Sequence, residues 1–139
     1  MLHIGSVVTK DACISVPSDP GDVVTSAGAD SSGTALDYVY VLGTPEKPAS
    51  TPGLTGFQFG IEYEPTVVVS GWGLCTGGQE VPEQFWPQSG QGNAMTWPGG
   101  CYEVIANTDH VTKLGFLVIN PGSVGALWIS EDPRIGIAT

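Results

Sequence analysis

The chain has 139 residues, 41% of them hydrophobic, with 20 glycines, 11 prolines and a formal net charge of −10 from 14 acidic and 4 basic side chains. That length makes one domain, residues 1–139, with enough surface to bury a core unaided. The charge repels the phosphate backbone of a nucleic acid and an anionic membrane surface, so both are disfavoured as partners, and no apolar run approaches the roughly 18 residues that membrane insertion needs.

Along the chain, short apolar runs alternate with turn-forming residues. LHIGSVVT opens and CISV follows, before PSDPGD interrupts. TALDYVYVLG is rich in β-branched and aromatic residues, and TPEKPASTPG is a connection that no regular element crosses. LTGFQFGIEYEP shows the clearest pattern. Phe57, Phe59, Ile61 and Tyr63 alternate with Gln58, Gly60, Glu62 and Glu64, the signature of a strand with one wet face. TVVVSGWGLC, CYEVIAN, TKLGFLVIN, GALWISED and RIGIAT complete roughly nine strands. No segment keeps the period of an amphipathic helix, so parallel βαβ folds are excluded. The fold class expected is all-β: an antiparallel two-sheet sandwich, immunoglobulin-like or jelly-roll, with no significant helix.

Between Glu83 and Cys101 runs EQFWPQSGQGNAMTWPGGC, in which no helix or long strand is expected. Trp86 and Trp97 each precede a proline, which holds their backbones extended. Three uses fit: a lid on the core, a contact for another protein, or a stacking platform for a glycan. Phe85, Trp86, Met95 and Trp97 are the candidate contact residues, whereas Trp72 and Trp128, within apolar runs, are expected in the core. Cys75 and Cys101 bracket this loop. If oxidised they close about 26 residues, worth on the order of 3.5 kcal/mol, and leave Cys13 over.

No nucleotide-binding, zinc-protease or nucleophile-elbow motif occurs. His3 reads as a surface residue, His110 beside Asp109 does not make a triad, and Glu62 with Glu64 forms a solvated face. No catalytic residue and no cofactor is assigned. Asp19 and Asp22, in a tight turn, are weak calcium candidates without the spacing of a calcium loop.

From Leu54 to Leu74 the sequence LTGFQFGIEYEPTVVVSGWGL resembles the central strands of cohesin-like domains. It is also similar to the β-sandwich modules of bacterial extracellular proteins, as is the run from Trp86 to Cys101. The resemblance implies a secreted or surface-displayed module engaged in adhesion or assembly, its signal peptide removed. Two departures stand out: Glu64 takes the place of the usual Asp before proline, and a cysteine-bounded Trp-Pro loop is not a cohesin feature. The function expected is structural or adhesive and non-enzymatic. Copies of itself, another cell-surface protein or a glycan are the expected partners. Self-assembly would run through terminal strands carrying Leu2, Ile4 and Val7 at one end and Ile135 and Ile137 at the other.

Overall fold

The computed structural model describes residues 1–6, 13, 21, 23–25, 37–43, 53–54, 56–75, 77–97, 102–103, 112–120 and 122–135. Its strands are β1 (Leu2–Ser6), β2 (Asp37–Gly43), β3 (Gly53–Leu54), β4 (Gly56–Tyr63), β5 (Val69–Leu74), β6 (Gln79–Pro82), β7 (Gln91–Thr96), β8 (Tyr102–Glu103), β9 (Thr112–Ile119) and β10 (Leu127–Ser130). They form one sheet in the order β1-β2-β9-β5, a second in the order β10-β4-β7-β6, and a short β3-β8 ladder. Every pairing is antiparallel, and no α-helix occurs among the described residues. The all-β, two-sheet expectation therefore holds, while several strands fall elsewhere than expected. β6 and β7 rise from around and within the loop in which no long strand is expected, and Arg134 and Ile135 lie in a turn.

Alternation explains the packing. In β4, Phe59 and Ile61 are fully buried while Glu62 between Ile61 and Tyr63 is exposed, as a period of two requires. Val39 and Val41 of β2, Leu114, Leu117 and Ile119 of β9, and Met95 of β7 meet them in one interior cluster. Each such side chain contributes about 1.5–3 kcal/mol by leaving water. The β2–β9 register shifts after Val41, which adds a residue to β9 and lets both Leu114 and Leu117 enter the core.

The outer face of the β2 sheet is also closed. Tyr40 and Leu42 point away from the main core, yet they are only 2% and 1% exposed, packed with Tyr38, Phe116 and Val23. Tyr38 and Phe116 have ring centroids 4.8 Å apart.

One expectation is corrected by these contacts. The disulfide joins Cys13 to Cys75, spanning 62 residues, so Cys101 is not the partner of Cys75 and Cys13 is not left over. Strand β1 is an edge of its sheet. It pairs with β2 from Leu2↔Val41 to Ser6↔Asp37, and the outward Ile4 amide donates to the Val24 carbonyl at 2.8 Å.

Candidate functional site

The loop between β6 and β7 folds inward. Its backbone closes on itself through Glu83 O with Trp86 N and Phe85 O with Gln88 N. Gly90 N donates to Ile61 O, and Tyr63 N donates to Ser89 Oγ, which ties the loop to the end of β4. The Trp86–Pro87 peptide is cis, and Tyr63 Oη donates to the Pro87 carbonyl at 3.3 Å. Trp86 lies against Phe59 and Trp72, each centroid 5.4 Å away and each ring edge-on. Trp97 is half-buried and packs on the same core, and Met95 is 1% exposed. Of the four candidate contact residues only Phe85, 54% exposed, faces solvent. The lid use is the one the geometry realises.

Beneath the lid a carboxylate joins the two sheets. Glu80 Oε1 on β6 accepts from Trp72 Nε1 on β5 at 2.5 Å and from Asn93 Nδ2 on β7 at 2.8 Å. Asn93 is wholly buried and sits opposite Phe59 and Pro82. Such a charge-assisted bond is stronger than a neutral one and fixes the indole's orientation.

The outer face of the β10-β4-β7-β6 sheet is built differently. After Ser130 the chain leaves β10 and crosses that face as a strap. Ser130, Gly60 and Gly92 are register neighbours across β10, β4 and β7. A Cβ on Gly60 would strike Ser130 Oγ and the Glu131 carbonyl, and a Cβ on Gly92 would lie 2.7 Å from Asp132 Oδ1. The two glycines form the track on which the strap lies. Asp132, 1% exposed, receives Arg134 Nε at 2.9 Å and Nη2 at 2.6 Å, and Arg134 Nη1 reaches the Val81 carbonyl on β6. The hydrogen bonds from Arg134 hold the Asp132 carboxyl below its ordinary value, and the same bonds raise Arg134.

The strap divides the face in two. On one side lies an open groove of about 530 Å³ whose floor includes Gly56, Gln58, Ala94 and Thr96 and whose rim includes Val81 and Ile135. Val81 and Ile135 are 55% and 47% exposed. On the other side Trp128 stands directly across from Glu62. Trp128 is 44% exposed and so is not a core residue, a correction to the expectation. Glu64 does not form a face with Glu62 alone, since its Oε2 accepts from Ala126 N at 3.0 Å.

Ile135 is therefore on the groove rim rather than in an assembly strand, and Leu2 and Ile4 are half-buried against the core. Val7, Ile137, Asp19, Asp22, Cys101 and His110 lie outside the described residues. Sequence reading missed the strap. Its one available signal was the pair of glycines inside strand patterns, which marks a place where another backbone comes close. No protein family, no curated protein and no solved structure matches the chain.

Proposed function

We propose that the chain is a non-enzymatic, extracellular, immunoglobulin-like β-sandwich with an adhesive or structural role, docking another cell-surface protein on the outer face of its β10-β4-β7-β6 sheet. The unequal treatment of the two outer faces carries this reading. One buries Tyr40 and Leu42, while the other keeps Val81, Trp128 and Ile135 exposed around a groove whose floor includes Gly56, Gln58, Ala94 and Thr96. Exposed apolar groups gathered on one face, among polar neighbours, mark interaction surfaces more often than scattered ones do. The polar side chains brought together elsewhere are committed to structure: Glu80 to the lid, Asp132 and Arg134 to the strap, Glu64 to Ala126. A disulfide is compatible with an oxidising, extracellular setting. Assembly through β1 is disfavoured, because its outward Ile4 amide is already bonded to Val24.

The test is adhesion of beads coated with the chain to cells of the organism that makes it. The double variant Val81→Arg, Ile135→Arg should cut bead retention at least tenfold, with unchanged unfolding temperature. Val68→Arg, at an exposed site off this face, should leave it intact. Retention that ignores the double variant, or falls equally with Val68→Arg, would remove the face from the proposal.

A further inference from the structure

Resting on that reading of the face, we infer that Trp128 and Glu62 form a seat for a cationic side chain, lysine or arginine, presented by a basic segment of the partner. The pair is fixed by register. Leu127 and Ile129 turn toward the core opposite Tyr63 and Ile61, so Trp128 and Glu62 project together from the outer face. Directly opposed residues of an antiparallel pair have Cβ atoms about 4.5–5.5 Å apart. A cation resting on the indole is therefore within reach of the carboxylate as well, and the two attractions act on one charge.

Three further observations favour a cation over other occupants. Glu131, the residue that follows β10, is exposed and adds a second carboxylate close to Trp128 in the chain. The two basic side chains among the described residues do not fill the seat: Arg134 is tied to Asp132 and Val81, and Lys113 lies on β9 of the other sheet. The whole chain carries a net charge of −10, which draws a basic partner toward it and repels an acidic one, a second copy of this chain included. A neutral sugar ring would stack on the indole and hydrogen-bond the carboxylate but gains no long-range attraction from the net charge. β10 is also the edge of its sheet, so a long side chain can approach Trp128 from beside the strand as well as from above.

The experiment titrates the full chain with acetyl-pentalysine amide and follows the indole N–H resonance of Trp128 by NMR, assigned by its loss in Trp128→Leu. Expected is a saturable shift of that resonance, weakened at least fivefold by Glu62→Gln and weakened again by 0.5 M NaCl, while the affinity for the same peptide read by isothermal titration calorimetry falls at least fivefold in both Glu62→Gln and Trp128→Leu. Both substitutions are at exposed positions, and unchanged unfolding temperatures establish that the variants fold. Binding of equal strength in all three proteins would show a diffuse acidic surface and overturn the seat. A salt-independent shift with cellohexaose and none with pentalysine would overturn it in favour of a glycan. If pentalysine leaves Trp128 unmoved while Val81→Arg, Ile135→Arg still abolishes bead retention, the seat fails and the face stands. If retention ignores every outer-face variant, the face itself fails.

Discussion

The Cys13–Cys75 disulfide should be the largest single covalent contribution to stability. A closed loop of 62 residues restricts the unfolded chain, and the loop-entropy relation gives about 4.3 kcal/mol at 25 °C. For 139 residues the unfolding entropy near the midpoint is about 290 cal/mol/K, so the loss corresponds to about 15 °C in Tm. The measurement is urea unfolding in a Cys101→Ser background, which prevents exchange with the third thiol. In that background Cys13→Ser and Cys75→Ser should each cost about 4 kcal/mol, and the double variant no more than either. Cys101→Ser alone should cost less than about 0.5 kcal/mol, because the sulfur of Cys75 is already taken. If Cys101→Ser alone costs about 3.5 kcal/mol while Cys13→Ser and Cys75→Ser in that background cost nothing further, the pairing described here is wrong and the bridge closes the tryptophan loop instead.

Gly92→Ala places a methyl group 2.7 Å from Asp132 Oδ1 and 2.9 Å from Pro133 Cδ, so the strap must lift, at about 1–3 kcal/mol by urea unfolding. Gly90→Ala, where φ is +81° and no atom lies within 4 Å, should cost about 1–2 kcal/mol from backbone strain alone. Removing Glu80 by Glu80→Ala orphans the donors of Trp72 and Asn93, for about 2–4 kcal/mol, whereas Glu80→Gln keeps an acceptor and should cost under about 1 kcal/mol. Asp132 has its folded pKa lowered below the ordinary 3.8, chiefly by hydrogen bonds from Arg134. The unfolded chain takes up that proton first, so the stabilisation is present above the ordinary value and is lost as pH falls through the lowered one. Asp132→Asn should therefore flatten the acid limb of a stability-versus-pH curve, and an unchanged limb would contradict this assignment.

How much of this was legible beforehand varies by element. Strand β4 could be read almost residue by residue, since Phe59 and Ile61 alternate with polar or small positions and the pleat does the rest. β7 could not be. QGNAMT has a single large apolar residue, Met95, and its other inward position with full burial is Asn93, whose amide nitrogen donates to Glu80. In ALWIS four apolar residues run together, so alternation cannot say which of them face out; the Trp128↔Glu62 register decides it. The disulfide was beyond sequence reasoning for a similar cause. Three cysteines allow three pairings, and proximity along the chain favoured Cys75 with Cys101, whereas the fold brings the Cα atoms of Cys13 and Cys75 within 5.4 Å.

The strap ties these elements to the proposed face. Glycine inside a strand costs about 0.5–1 kcal/mol relative to alanine, so two glycines in register need a return. The crossing supplies it: Asp132 is buried over Gly92, and Arg134 bonds both to it and to Val81 of β6. That arrangement covers the middle row of the sheet and leaves the rows on either side open. A merely solvated face would carry long polar side chains at outward positions, as Glu62 does at its own. Beyond the strap the outward positions include Ala94 and Val81 beside the polar Gln58 and Thr96, with Ile135 on the groove rim. Short or apolar groups at those positions give up solvation without adding to the core. They are best explained by a surface that comes to rest on them, so Ala94→Lys, which fills the groove without touching the core, should block adhesion as the arginine pair does.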